Sequence, residues 1–265
     1  MTPMTGTARD VVDTVTVLTG PDRGGGTLKA LDAASGARLA VATLRALAHA
    51  PSASVDRAAA RHLPACRAEQ YVAARTLLRR VLAESGHPLA AGEPIVAGPR
   101  GRPLLPGATG TAVSLSHSGE WVAAAVLTAA PGGPAPEIGV DVQTPCTPSP
   151  GLVRRCCQGT VPRALAALPD ADLAREFAWI WSAQEACVKA TGQGLAGRPW
   201  TIPVRPGERS GNWRHLRWRS LRGLSPVPLA YAVGPVGAGP ATRPQSTRPR
   251  GGPRVPEPPV PGNAL

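Results

Sequence analysis

The chain has 265 residues and a formal net charge of +12 at pH 7, with 29 Lys and Arg against 17 Asp and Glu. Its length suits one large domain or two small ones, and an apolar fraction of 43% is enough for a sizeable core. The charge predicts an anionic partner, and the absence of any run of about 18 apolar residues argues against a membrane span.

Cysteine use indicates a reducing compartment. The five cysteines, at positions 66, 146, 156, 157 and 187, form no CxxC pair and no Cys/His zinc pattern. Their number is odd, and the first residues lack the basic and apolar regions of a secretory signal. We therefore expect a cytoplasmic protein with no membrane partner.

In the first half of the chain, strands and helices are predicted to mix without a regular order. Taken along the chain, the pattern predicts a strand at 11–18, a loop at 20–26, helices at 38–49 and 67–83, a short strand at 95–96, a turn at 98–103, and strands at 112–115 and 121–127. On the second helix, Tyr71 shares one side with apolar residues, while Arg75 and Arg79 share another.

The second half begins after a proline-rich break at 131–136. The predicted elements are a strand at 138–142, a break at 145–150, a short helix near 163–168, a long helix at 170–191, and strands at 201–204, 214–221 and 229–233. Asp170 is the expected N-cap of the long helix. From residue 237 the chain is mostly Pro, Gly, Arg and Thr, which predicts a disordered tail.

The order of elements is similar in the two halves: an opening strand, then helices, then further strands. Because strands and helices do not alternate as βαβ units, we predict an α+β fold of two pseudo-symmetric lobes. The predicted boundaries are 1–135 for the N-terminal lobe, 136–236 for the C-terminal lobe and 237–265 for the tail. Two lobes in one chain also favour a monomer with a complete site.

The end of the long helix carries a carboxylate and an ammonium on one face. Glu185 and Lys189 lie four residues apart, just before a loop that contains Gly192 and Gly194. Lys189 is one of only two lysines in the chain, which suggests a need for a compact cation. Taken alone, the pair also fits an ordinary surface ion pair.

Asp141 and Gln143 lie two residues apart on a predicted strand, so they face the same side. Asp141 together with Glu185 forms a pair of carboxylates of the kind that holds Mg²⁺, which commonly takes one or two protein carboxylates plus water and phosphate oxygens. The alternative for Asp141 is a turn residue at a strand end.

Residues 114–119 read Ser-Leu-Ser-His-Ser-Gly and follow an apolar strand. Such a loop offers donors to phosphate oxygens, although it also fits a hydrophilic turn. A hydrolase is disfavoured, because GxSxG does not occur and the adjacent Ser116 and His117 point to opposite sides of an extended backbone.

Four motifs in this order resemble the Sfp-type 4′-phosphopantetheinyl transferases, which activate the carrier proteins of polyketide and non-ribosomal peptide biosynthesis. They are Gly-Arg-Pro at 101–103, the hydroxyl-rich stretch at 114–119 followed by Trp-Val, Gly-Val-Asp-Val-Gln at 139–143, and the stretch at 181–195 that contains Glu185 and Lys189. The residues at 73–80 also resemble the basic helix that precedes these motifs in the family.

The resemblance implies a magnesium-dependent transfer of 4′-phosphopantetheine from coenzyme A to a serine of an acyl- or peptidyl-carrier protein, with release of 3′,5′-ADP. It implies catalytic roles for Asp141, Glu185 and Lys189. It implies metal ligation by Asp141, Glu185 and Gln143. The implied contacts with coenzyme A are those of Arg75, Arg79, Arg102, Ser116, His117 and Lys189.

Two departures from the family pattern keep alternatives open. Gln143 stands where many members have a third carboxylate, and Gln184 replaces a lysine that we expect at the rim of the site. One alternative is therefore a weakened member that binds a carrier protein without catalysis. Another is a nucleic-acid-binding protein that uses the basic segment 205–222 with Trp213 and Trp218, although we expect no nucleic-acid partner.

Overall fold

The computed structural model describes residues 15–18, 27–32, 35–89, 92–130, 132–159 and 161–234. The predicted loop at 20–26, the first part of the predicted strand at 11–18 and the predicted tail at 237–265 lie outside these residues. Within the described ranges, none of the helices combines the length and the apolar character needed to cross a membrane.

The N-terminal half of the described chain contains seven strands and three helices. They are β1 (Val15–Leu18), β2 (Thr27–Asp32), β3 (Arg38–Thr43), α1 (Leu44–Leu47), α2 (Ser54–Ala60), α3 (Ala65–Glu84), β4 (Val96–Ala97), β5 (Pro103–Leu104), β6 (Thr111–Ser118) and β7 (Trp121–Thr128). Five of the strands form an antiparallel sheet in the order β1-β2-β3-β7-β6, while β4 and β5 form a short hairpin.

The C-terminal half contains a second sheet and a second long helix. Its elements are β8 (Ile138–Val142), α4 (Pro150–Cys156), α5 (Val161–Ala166), α6 (Asp170–Ala190), β9 (Ser210–Trp213), β10 (Leu216–Ser220) and β11 (Leu229–Val233). The sheet is antiparallel with the strand order β8-β11-β10-β9.

The two sheets and the two long helices form four layers. Helix α3 packs on the outer face of the first sheet, and α6 packs on the outer face of the second. The inner faces of the sheets pack against each other around Leu39, Ala125, Val140 and Tyr231. Every residue of β7 from 122 to 127 is buried, because alternate side chains face α3 and the second sheet. The predicted α+β class with two lobes is confirmed.

Three serine hydroxyls join the two sheets where β6 runs beside β8. Alternate serines of β6 accept hydrogen bonds from alternate backbone N–H groups of β8 and the residues after it. The pairs are Val140 N to Ser114 Oγ at 3.0 Å, Val142 N to Ser116 Oγ at 3.3 Å and Thr144 N to Ser118 Oγ at 2.9 Å. We call this arrangement the serine seam; it satisfies polar groups that a buried strand edge otherwise leaves unpaired.

Gly139 lets α6 lie directly against β8. A Cβ atom at this position would lie 2.0 Å from the carbonyl oxygen of Ala186 and 2.5 Å from the backbone nitrogen of Ala190. Any other residue would therefore force the helix away from the strand. The close packing brings Asp141 on β8 beside Lys189 on α6.

Some sequence-based element predictions were wrong. The helix predicted at 38–49 is strand β3 followed by the short helix α1, because the continuous apolar run there is buried in the sheet. The strand predicted at 201–204 is absent, and α4 begins at the end of a predicted break. Asp170 is the first residue of α6 rather than its N-cap, which is Pro169.

Candidate active site

Two adjoining cavities lie between the lobes. The first has a volume of about 680 Å³, and its charged lining comes from Arg67, Arg75, Asp141, Glu185 and Lys189. The second has a volume of about 330 Å³ and is lined by the loops at 100–103 and 192–195. Glu185 and Lys189 line both cavities, so the end of α6 forms part of their common wall.

Asp141 has one carboxylate oxygen in use and one free. Its Oδ1 accepts hydrogen bonds from Lys189 Nζ at 2.6 Å and from Ser116 Oγ at 2.7 Å. Its Oδ2 is buried and has no hydrogen-bond partner in the described part of the chain. A buried carboxylate oxygen without a partner is costly in free energy, so this atom suits a cation that arrives with a ligand.

Glu185 lies in an environment that disfavours its charged form. Burial is the main cause that raises the pKa of its carboxyl group to about 7, and the nearby Asp141 carboxylate adds to the effect. The Lys189 ammonium opposes this rise, but its ion pair is formed with Asp141 rather than with Glu185. The simple surface ion pair between residues 185 and 189 is therefore absent from the structure.

His117 accepts a hydrogen bond from an arginine on α3. Its Nε2 lies 2.8 Å from Nη1 of Arg67. Burial lowers the pKa of His117, and the positive charges of Arg67 and Lys189 lower it further. The ring is accordingly neutral at pH 7, since its ordinary value already lies below 7.

Of the two arginines predicted on α3, only one lines the first cavity. Arg75 does so with its guanidinium 3.4 Å from the centre of the Tyr71 ring, which is a cation–π contact. Arg79 lies one turn further along and donates hydrogen bonds at 2.7 Å to the Asp56 carboxylate and to the carbonyl of Glu93. The structure thus places Arg79 in a buried ion pair beside the site.

Three other predicted site residues lie in different surroundings. The Ser116 hydroxyl borders the first cavity but is already engaged with Asp141 and with the N–H of Val142. Arg102 lines the second cavity and not the first. Gln143 lines neither, and its side-chain nitrogen lies 3.5 Å from its neighbour's carbonyl oxygen.

The donor set fits a magnesium ion held by two carboxylates. Within the described residues, no group of three His, Cys, Asp or Glu side chains forms a candidate metal site. However, Asp141 offers an unpaired Oδ2, and Glu185 lines the same cavity close enough for the two carboxylates to interact electrostatically. Carboxylate oxygens are hard ligands, and Mg²⁺ usually takes one or two of them from a protein when water and phosphate oxygens complete its shell.

Gln184 lies in the core of the C-terminal lobe, so the prediction that residue 184 lies at the rim of the site was wrong. It is 1% exposed, and its Nε2 donates hydrogen bonds to the carbonyl groups of Cys156 and Ile202, each at 2.9 Å. On α6 it points away from Glu185 and ties two connecting segments to the helix. Its identity therefore bears on the packing of the lobe rather than on the charge of the cavity.

Sequence reasoning missed Arg67 and Tyr71 as lining residues. Together with Arg75 they follow a spacing of four residues on α3, and this places all three on the face that borders the cavity. The prediction that Tyr71 and Arg75 lie on different sides of the helix was therefore wrong. The four-residue spacing was available from the sequence. The sequence does not show how α3 is rotated about its axis relative to the second lobe, so it could not predict that this face borders the cavity.

Of the two tryptophans in the basic segment 205–222, Trp213 is half-buried with the Arg214 guanidinium 4.3 Å from its ring centre, and Trp218 offers no stacking surface. Trp218 is 1% exposed and packs under α6, so its ring is inaccessible to a base. The neighbouring Arg217 and Arg219 lie on the other face of β10, as the period-two pattern predicts.

Comparison with known families gives two matches along the chain. Residues 55–127 match the 4′-phosphopantetheinyl transferase N-terminal domain, and residues 137–220 match the 4′-phosphopantetheinyl transferase superfamily. No curated protein matches the chain. The first match ends in β7 and the second begins just before β8, so the two regions meet at the serine seam. Since they follow each other in order and together span more than half of the 265 residues, the chain belongs to the 4′-phosphopantetheinyl transferase superfamily.

Proposed function

We propose that the protein transfers 4′-phosphopantetheine from coenzyme A to a serine of an acyl- or peptidyl-carrier protein in a magnesium-dependent reaction. The observation that carries this proposal is the position of Asp141, Glu185 and Lys189 where the two cavities adjoin. Membership of the superfamily supports the transfer itself. The motifs that resemble Sfp-type enzymes further suggest carriers of polyketide or non-ribosomal peptide biosynthesis.

The first cavity is the proposed site for coenzyme A. Its cations, contributed by Arg67, Arg75 and Lys189, suit a ligand that carries several phosphate groups. His117 lines the same cavity, and Nη1 of Arg67 lies 3.2 Å from its Nδ1 and 2.8 Å from its Nε2, so the two residues would face the phosphate groups together. The larger volume of this cavity also suits a nucleotide better than that of the second.

Asp141 and Glu185 are the proposed ligands for Mg²⁺, with Asp141 contributing its unpaired Oδ2. When bound, the ion supplies positive charge that offsets the charge developing on the phosphate oxygens. Ser116 keeps the Asp141 carboxylate in place through its hydrogen bond to Oδ1. Gln143 lies outside both cavity linings, so we propose that two carboxylates are sufficient for the metal.

The chemistry exchanges one phosphorus–oxygen bond for another. The carrier serine oxygen attacks the phosphorus that carries the pantetheine arm, and the bond to the 3′,5′-ADP oxygen breaks. Glu185 accepts the serine proton, because its carboxylate lines both cavities, where the two substrates would meet. Lys189 donates a hydrogen bond to the departing 3′,5′-ADP, because its ammonium reaches both cavities.

All these side chains come from one chain, so we propose that the monomer is active. We also propose that the protein works in the cytoplasm, as its cysteine use suggests. We further propose the lobe boundary at 135–136, in the turn between β7 and β8. None of these proposals is needed for the chemistry, and gel filtration of the active protein tests the first.

The test combines purified protein, coenzyme A, Mg²⁺ and apo carrier proteins of both classes, followed by mass spectrometry of the intact carrier. We expect the mass of one phosphopantetheine on the carrier serine. Glu185→Gln and Asp141→Ala should each abolish the product, whereas Arg175→Ala, which changes an exposed residue on α6 outside both cavities, should preserve it. Failure of the wild-type protein on carriers of both classes would contradict the proposed function.

A further inference from the structure

The second cavity opens between two loops that face each other. One loop contains Arg100 and Arg102, and the other runs from Gly192 to Leu195. A Cβ atom at Gly192 would lie 3.3 Å from Cδ of Arg102, so the loops are in close contact there. We call Arg100, Arg102 and Leu195 the basic mouth, because they lie where this cavity meets the surface.

The charges of this cavity are unbalanced. Three cationic side chains, Arg100, Arg102 and Lys189, line it together with a single carboxylate, Glu185. Lys189 is paired with Asp141, but neither arginine forms an ion pair or side-chain hydrogen bond with any described residue. Two unpaired arginines beside each other favour an anionic partner.

An apolar side chain stands beside these arginines. Leu195 is 66% exposed and is the most exposed large hydrophobic residue of the described chain. Exposed apolar surface with a charged rim is typical of a site where another protein docks. A small anion alone would gain nothing from Leu195, so the combination favours a protein surface with acidic side chains around an apolar one.

The loop also holds Arg100 in a conformation that a non-glycine residue adopts at a cost. Its φ is 55°, in the left-handed region, and it is followed by Gly101 at φ 78°. Strained backbone of this kind is retained where the rest of the structure enforces it, often at a binding site. The Arg100 side chain is exposed and lines the cavity.

We propose that the basic mouth docks the carrier protein, with acidic side chains of the carrier on Arg100 and Arg102 and an apolar side chain on Leu195. This inference rests on the proposed function. The second cavity then admits the carrier serine to Glu185 from one side, while coenzyme A occupies the first cavity from the other. The two substrates meet at Glu185 and Lys189, the charged residues that both cavities share.

The test measures separately the KM for the carrier protein and the KM for coenzyme A. Initial rates are measured with apo acyl-carrier protein varied at saturating coenzyme A, and then with coenzyme A varied at saturating carrier. We expect Arg100→Glu and Leu195→Asp each to raise KM for the carrier by about tenfold or more while KM for coenzyme A changes less than about twofold. Arg100→Asn, which tolerates a positive φ, removes the charge without adding strain.

Arg175→Glu is the matched control, because it reverses an exposed arginine elsewhere on the same chain. It should leave both KM values unchanged. Fluorescence anisotropy with labelled apo carrier and no coenzyme A supplies a readout that needs no turnover, and it should show the same loss for the mouth variants. Added KCl should weaken carrier binding to the wild type more than to Arg100→Glu.

Three results would overturn the docking inference. They are a rise in KM for coenzyme A alone, an equal loss with Arg175→Glu, and unchanged anisotropy for both Arg100→Glu and Leu195→Asp. Each of these leaves the transferase proposal standing if the wild type modifies the carrier. Absence of any modification by the wild type would instead remove the proposed function on which docking rests.

Discussion

Replacing Glu185 by Gln should abolish transfer and yet stabilise the metal-free protein at pH 8. Burial and the Asp141 carboxylate raise the pKa of Glu185 to about 7, so at pH 8 the folded protein contains an ionised group in an unfavourable place. A neutral amide of nearly the same shape removes this cost. An ordinary ion pair between Glu185 and Lys189 predicts the reverse, because the substitution would then remove a favourable contact.

The magnitude follows from the difference between the folded and unfolded pKa values. At about 1.4 kcal/mol per unit, a rise from 4.5 to about 7 corresponds to roughly 3 kcal/mol, and partial exposure to water reduces this to about 2 kcal/mol. Below pH 4.5 the carboxyl is protonated in both states, so the variant and the wild type should be equally stable. The wild type then loses free energy of unfolding relative to Glu185→Gln as pH rises from 4.5 to 7.

The assay is urea unfolding in EDTA at pH 4.5, 6 and 8, followed by tryptophan fluorescence. We expect the difference in unfolding free energy to be near zero at pH 4.5 and about 2 kcal/mol in favour of the variant at pH 8. Glu69→Gln, an exposed residue on α3, is the control and should show no such trend. A variant that is less stable than the wild type at pH 8 would refute the reasoning, as would a difference independent of pH.

Substitutions at three further positions test how the site is built. Gly139→Ala should destabilise the protein by about 3 kcal/mol or more and abolish transfer, because the new Cβ meets the backbone of α6 at Ala186. Thermal melting measures the loss of stability, and the transfer assay measures the loss of activity. A normal melting temperature would contradict the packing argument. Ser118→Ala removes the acceptor for the Thr144 N–H and should cost about 1 kcal/mol in urea unfolding, whereas Ser118→Thr should restore most of it. Gln143→Glu should leave the magnesium titration of transfer unchanged, because Gln143 lines neither cavity, and a lower magnesium requirement would place it at the metal.

The sequence predicted the elements that carry the strongest local signals. The long helix, the strand at 138–142 and the strand at 229–233 were found because their apolar patterns are regular and their ends are marked by Pro or Gly. The stretch Arg38–Thr43 was mistaken for helix, because an apolar run without alternation fits a buried strand and a helix equally well. Which of the two forms depends on neighbours on both faces, and these are distant in the chain.

For the site, the resemblance identified the side chains that meet, but it could not assign their contacts. The motifs pointed to Asp141, Glu185, Lys189 and His117, and the structure brings all four to one cavity. Lys189 forms its ion pair with Asp141 on β8 rather than with Glu185 on its own helix. The reason is the close packing at Gly139, which brings β8 directly against α6. Long-range packing of this kind leaves no trace in the spacing of residues.

The hydrogen bonds of the serine seam depend on amino-acid identity, unlike most hydrogen bonds between strands. A backbone ladder between strands tolerates almost any side chain, because the bonded atoms are the same in every residue except proline. At the seam, by contrast, the acceptors are hydroxyl groups at three alternate positions of one strand. A codon change from serine to alanine therefore removes a bond that no backbone atom replaces. At Ser116 the same change also removes one of the two hydrogen bonds that hold Oδ1 of Asp141 and leaves only the one from Lys189, so the contact between the lobes and the geometry of the site change together.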